Sequence, residues 1–283
     1  MAAAPIRGHA VSAFELDHVG VAARDLDPLA ATYERLGFTL TPVARHRGKA
    51  TGNRCIMLQH GYLELIAILD PAVPDEGMGA RLARYAGLQI IALGIEDAAA
   101  TLGQLRRAGL DVPGIAHLER PVDDSDPNGP QARFERLPLP DAPEGLIQLI
   151  RHLTREAIWQ PRFMAHRNNA VSLDEVVLAV PDPAETAARF SRLAGLPVAP
   201  DVVAGFALPM PRGRVRMLPP EAIGKVYPGV TAPAVPSIVG FTLQTSDACV
   251  AVRPLLAGLP HAAIGDGVLV MPEAAGGAAL LFV

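Results

Sequence analysis

Residues 15–38 read ELDHVGVAARDLDPLAATYERLGF, and the stretch changes periodicity at Asp25. Before it, LDHVGVAA alternates as a strand does; after it, DPLAATYERLGF carries apolar residues at helical spacing and stops at Gly37. One strand followed by one helix is the reading. His18 is the odd residue, an imidazole among apolar neighbours in a strand that otherwise looks buried. A buried imidazole needs a hydrogen bond or a metal to replace lost hydration, so His18 is the first candidate for chemistry.

The unit recurs. Asp97 and Gly109 bracket AAATLGQLRRAGL, 72 residues after Asp25 and Gly37. Residues 173–198, LDEVVLAVPDPAETAARFSRLAGLPV, repeat the Leu-Asp start, the apolar strand, the Asp-Pro helix entry and the Gly exit. A fourth copy, residues 239–259, keeps Asp247 and Gly258, but Pro254 predicts a short or kinked helix there. Short strand candidates follow each helix: GNRCIMLQHGYLELIAI (52–68) after the first, QARFERLPLP (131–140) and GLIQLIRHL (145–153) after the second. The repeating unit is therefore βαβββ, present four times. TREAIWQPRFMAHRNNA, with the single tryptophan Trp159, breaks the rhythm and predicts a connector over 154–170 between domains 1–153 and 171–283.

Bulk properties exclude several functions. The 283 residues are 50% apolar and 19% charged with a net charge of -4, which provides no basic surplus for a phosphate backbone and argues against a nucleic-acid partner. Cys55 and Cys249 are far apart, so neither a disulfide framework nor a thiolate zinc site is expected, and a cytoplasmic protein fits. No apolar run approaches the ~18–20 residues of a membrane span. MAAAPIRGHAVS lacks the apolar centre of a secretory signal and reads as a frayed terminus. There is no Gly-rich phosphate loop between strand and helix, and no GxSxG elbow.

Four βαβββ units opening on LDHV, together with TGNRCIMLQHGYLELIAI and HLTREAIWQPRFMAHRNNA, resemble the vicinal oxygen chelate superfamily and its glyoxalase-like domain branch. The resemblance implies an α+β fold in which paired modules form two cups, each typically holding one divalent metal through the first and fourth strands of its modules. Transferred residue by residue, the first-strand positions are His18, Ile90, Glu175 and Gly240, and the fourth-strand positions are Glu64, Gln148, Arg216 and Leu280. The first cup thus offers His18, Glu64 and Gln148 to a metal, while Ile90 departs from the family pattern. One nitrogen and two oxygen donors with vacant positions suit Fe, Mn, Ni, Co or Zn, and the open positions admit a small oxygen-bearing substrate. Glu64 is then the central catalytic carboxylate. His18 and Glu64 could equally satisfy each other by hydrogen bonding, without a metal.

Further residues are expected around the same cup. His46, Thr51 and Asn53 lie on RHRGKATGN, which resembles a substrate-contacting loop of the glyoxalase-like branch; the alternative is a solvated turn. His152, four residues beyond Gln148, shares its strand face and is a candidate acid, base or ligand, with simple surface exposure as the alternative. His60 before Gly61 reads as a turn residue, while His117, Arg133 and Arg136 read as surface residues with anion contact as the alternative. Arg212, Arg214 and Arg216 alternate on one face, as an exposed edge or an anion site. Glu175 opposite Arg216 predicts an ion pair and a degenerate second cup. The functional expectation is a lyase, isomerase or dioxygenase. Its counterpart is a metal-free binder of a small molecule, and a homodimer is possible in either case.

Overall fold

In the computed structural model, residues 13–140 and 142–283 are described; the amino-terminal stretch read above as frayed lies outside them. The first module contains β1 (Glu15–Ala22), α1 (Leu26–Arg35), β2 (Ala44–Arg45), β3 (Thr51–Met57) and β4 (Tyr62–Ile68). A helix that the repeat does not predict, α2 (Met78–Arg84), leads into the second: β5 (Gly87–Gly94), α3 (Ala98–Arg107), β6 (Ala116–Pro121), β7 (Gln131–Pro138) and β8 (Leu146–His152). Two single-turn helices, α4 (Arg155–Ile158) and α5 (Pro161–Met164), occupy the connector.

The third module has β9 (Ala170–Ala179), α6 (Pro183–Ala194), β10 (Ala199–Pro200), β11 (Phe206–Pro209) and β12 (Arg214–Leu218). After a turn of 3-10 helix at Pro220–Ala222 and α7 (Ile223–Val226), the fourth has β13 (Ser237–Thr245), α8 (Val252–Leu255), β14 (His261–Ile264), β15 (Gly267–Val270) and β16 (Ala279–Phe282). The α8 helix is short, as Pro254 requires.

Local signals explain the helix ends. Asp97 accepts a hydrogen bond from the Ala100 amide, and Asp182 accepts from those of Ala184 and Glu185, capping free amides at the starts of α3 and α6. Asp25 occupies the same place before α1 without a side-chain bond. Gly195 ends α6 in the left-handed region at φ 68°, where a side chain would be strained.

The strands form two eight-stranded sheets, ordered β2-β3-β4-β1-β5-β8-β7-β6 and β10-β11-β12-β9-β13-β16-β15-β14. Each combines consecutive modules: β1 joins β5 antiparallel in the first, and β9 joins β13 antiparallel in the second. Alternation along β1 sends Val19 and Val21 to the main core with Leu29 and Tyr33 of α1, and His18 to the other side. That core runs through both halves. Glu15 ties them further, with one carboxylate oxygen 3.3 Å from Arg155 and the other 3.3 Å from Arg212. Among the described residues no helix is long and apolar enough to cross a membrane.

Register corrects two sequence readings. Parallel pairing aligns Glu64 with Gly20 in the first module and Leu281 with Thr242 in the fourth, so Leu281, not Leu280, holds the fourth-strand position. The glycine pair before β16 misplaced the count by one, and one residue reverses the face: Leu280 joins the core whereas Leu281 lines the second cup. The alternating arginines also do not form an edge, because β12 lies between β11 and β9.

Candidate functional site

The concave face of the first sheet encloses a cavity of about 490 Å³. His18 on β1, Glu64 on β4, Ile90 on β5 and Gln148 on β8 all line it, one from each symmetry-related strand. A local irregularity arms the centre. Antiparallel pairing with β5 slips between Leu16 and His18, leaving Asp17 as an extra bulged residue whose side chain reaches that of its neighbour. Asp17 Oδ1 lies 2.7 Å from His18 Nδ1. The imidazole therefore donates from Nδ1, and its Nε2 lone pair faces the cavity, 3.3 Å from Gln148 Nε2 and 3.9 Å from Glu64 Oε2.

Asp17 also accepts from His152 Nε2 at 3.0 Å. Burial would raise the Asp17 pKa, but His152 and His18 outweigh it and hold the carboxyl well below its usual range. His152 consequently stands behind His18 rather than on the cavity wall, packed on Tyr62, Phe134 and Trp159. Trp159 donates to the Leu58 carbonyl, so the connector closes the back of the site.

Of the three residues expected on one loop, only His46 is there, between β2 and β3; Thr51 and Asn53 belong to β3, and all three converge on Glu64. Asn53 donates to Glu64 Oε1 at 2.6 Å and lies 3.1 Å from His46 Nε2, which is itself 3.5 Å from Glu64 Oε1, and His46 Nδ1 meets Thr51 Oγ1 at 2.8 Å. Burial pushes the Glu64 carboxyl up, but the hydrogen bond and charge of His46, then His18 and Asn53, bring it down to about 2. Glu64 is an anion at neutral pH. Tyr62 stacks on His18 at 4.3 Å, and burial followed by the Asp17 charge keeps its phenol protonated far above the normal range.

Donor chemistry provides a test of metal fit. Among the described residues no three His, Cys, Asp or Glu side chains are grouped to hold a metal, and the further donor beside His18 is the Gln148 amide. Gln148 Oε1 is buried without a partner, and rotation of its carboxamide exchanges oxygen for nitrogen beside His18. Imidazole nitrogen, ionised carboxylate and unpartnered amide oxygen fit a divalent ion with open positions.

Other candidates fall elsewhere. His60 is at a turn before Gly61, and Arg133 is an exposed partner of Glu119 at 2.7 Å. His117 and Arg136 line the cavity instead of projecting only into solvent. Sequence reading missed Asp17, Tyr62 and Arg120. Only Asp17 left a trace, since LDHV and LDEV both carry the aspartate, but the bulge that turns it depends on β5.

The second cup is built differently. Glu175, in the place of His18, lies 2.6 Å from Arg214 and 3.2 Å from Arg216, and Asp201 holds Arg216 at 2.7 Å. Tyr227 lies over Gly240, where an added Cβ would come within 2.7 Å of its ring. Tyr227, Ile223 and Val226 form an apolar plug with Val177 and Val239.

Among curated proteins, no sequence matches the chain closely enough to count as a relative. Solved structures share the fold at low identity. A hypothetical protein from Staphylococcus aureus superposes with TM-score 0.69 at 14% identity, covering 95% of this chain and 99% of that one. The Mn(II)-bound glyoxalase from Novosphingobium aromaticivorans gives 0.58 at 15%, with 96% and 82% covered. A variant of 4-hydroxymandelate synthase from Streptomyces coelicolor gives 0.59 at 12%, with 96% and 92% covered. The profile of the glyoxalase-like domain matches residues 16–194, well over half of the chain, and the protein belongs to that family of the vicinal oxygen chelate superfamily.

Proposed function

We propose that the first cup is a divalent-metal-dependent catalytic site acting on a small oxygen-bearing organic substrate, by lyase, isomerase or dioxygenase chemistry. One observation carries the reading: His18 Nε2 faces the cavity, 3.9 Å from ionised Glu64 and 3.3 Å from the carboxamide nitrogen of Gln148, whose amide oxygen is buried without a partner. His18, Glu64 and Gln148 would hold the ion. Bound there, a divalent cation supplies Lewis acidity towards a chelating oxygen.

The chain's own groups do the remaining work. Asp17 keeps the proton on His18 Nδ1 and fixes the ring plane. Asn53 and His46 steady Glu64 Oε1, while Thr51 orients His46. Tyr62 retains its phenolic proton beside the imidazole. Ile66, Ile90 and Ile150 keep part of the wall apolar and limit the water around the reacting group.

Ile90 supports a second reading, a metal-free binding protein. It fills the fourth symmetry-related position and packs with Ala22, Ile66, Met78 and Leu82. Metal analysis separates the two. Protein purified without chelator is expected to carry stoichiometric metal that is lost in both His18→Ala and Glu64→Ala, with turnover falling on the order of a thousandfold. Metal-free wild-type protein with ligand binding unchanged in both variants supports the binder and rejects the catalytic reading.

A further inference from the structure

Beyond the His18 centre, the cavity contains a buried cation that forms no ion pair among the described residues. Pairing of β6 with β7 sets Leu118 opposite Phe134, Arg120 opposite Ala132 and Ala116 opposite Arg136, so alternation places Arg120 and Arg136 on one face. Both line the cavity. Arg120 is only 8% exposed, yet its guanidinium donates only to the Pro121 carbonyl at 3.2 Å and, weakly, to Cys55 Sγ at 3.9 Å. Phe134 adds its ring face at 5.9 Å. Among the described residues no carboxylate forms an ion pair with Arg120. Cys55 provides no countercharge, because burial pushes its thiol up to about 12. Arg136 is half-buried, with a buried Nε that has no partner, and its charge is felt by Glu76.

A buried guanidinium normally has an acid against it, since desolvated charge without compensation opposes folding. Arg216 in the second cup shows the satisfied arrangement, held by Glu175 and Asp201. We propose that Arg120, assisted by Arg136, receives the carboxylate of an organic acid whose apolar body lies against Tyr62, Leu118, Phe134 and Ile150. The planar fork of a guanidinium matches the two oxygens of a carboxylate. The surroundings favour a singly charged head on an apolar body, because Arg120 opens beside the cluster of Cys55, Met57, Tyr62 and Phe134. This inference rests on the first cup being the ligand site and adds the class of ligand.

The test is isothermal titration of the full chain, metal-loaded and chelator-treated, with 4-phenylbutanoate, its neutral amide and phenyl phosphate at neutral pH and fixed ionic strength. In both preparations the acid is expected to bind at least about tenfold more tightly than the amide, a preference that Arg120→Gln removes. Arg136→Gln reduces it less, and Arg47→Gln at the mouth leaves it intact. Equal binding of acid and amide, binding of no probe, a preference for phenyl phosphate, or a preference surviving in Arg120→Gln each overturns the proposal. The wild-type comparison decides even if a variant does not fold. His18→Ala is expected to lose metal but keep the acid preference, and Arg120→Gln to keep metal but lose the preference, so this inference and the metal reading fail separately.

Discussion

His18 and Glu175 occupy the same place in their strands, after the same Leu-Asp pair, yet one faces open space and the other is clamped by two arginines. The aspartates before them diverge as well. Pairing slips at both, but Asp17 bridges two histidines, whereas Asp174 is taken by the Ser172 hydroxyl two residues back. In the first cup Asn53 Oδ1, Arg136 Nε and Gln148 Oε1 are buried without partners; among the described residues of the second, only Tyr227 Oη is. Polar groups held unsatisfied on one concave face, and paired or plugged on the other, separate a site prepared for a guest from one that closes on itself.

The largest expected effect tests the plug. Tyr227→Ala empties the space over Gly240 and should lower unfolding stability by about 3–5 kcal/mol, measured by denaturant titration. Metal content and ligand affinity of the first cup should not change. If they fall in parallel with stability, the cups are not independent in the way the comparison requires.

Next is the charge at Glu64. Its carboxyl titrates at about 2 in the folded chain against an ordinary value of 4.5, so ionisation favours the folded form. That stabilisation is complete above about pH 4.5 and disappears as pH falls towards 2, for roughly 3 kcal/mol in all. Chelator-treated wild-type protein should lose this increment between those limits, and Glu64→Gln should lack it. Identical pH profiles would show that burial cancels the pull of His46, His18 and Asn53 and leaves the group without a net shift.

A smaller effect sharpens the contrast between the aspartates. Asp17→Asn removes the anion that fixes His18 Nδ1–H and should weaken metal affinity roughly 10–100-fold, read by competition with a chromogenic chelator. Asp174→Asn, at a carboxylate that accepts from the Ser172 hydroxyl and lines the second cup, should leave metal affinity unchanged. Equal losses at both positions would mean that the bulge, not the contact to His18, matters.

Helix-entry aspartates and helix-exit glycines repeat because backbone capping and left-handed turns are local requirements, met by particular residue types wherever a helix begins or ends. Those signals, with alternation along LDHV, made the four modules legible, as well as the strands carrying His18, Glu64 and Gln148. The resemblance of RHRGKATGN grouped His46, Thr51 and Asn53, although Thr51 and Asn53 sit on β3 rather than on a loop. Arg120 left no such mark, since a single arginine in AHLERP reads as an edge residue until β7 and β8 place it over Cys55. Leu281 was missed for a related reason: register belongs to a strand pair, and no single strand encodes it.

The sequence by itself determined the repeated unit, the four strand positions that meet in the first cup and the substitution of Ile90 for a donor. Only the tertiary structure decided which polar groups remain unpaired. Partners such as Asp17 with His152, or Arg216 with Asp201, lie 135 and 15 residues apart and meet only when strands close side by side. Burial then turns those meetings into fixed charge and fixed protons, because groups removed from water keep only the partners that the fold brings to them.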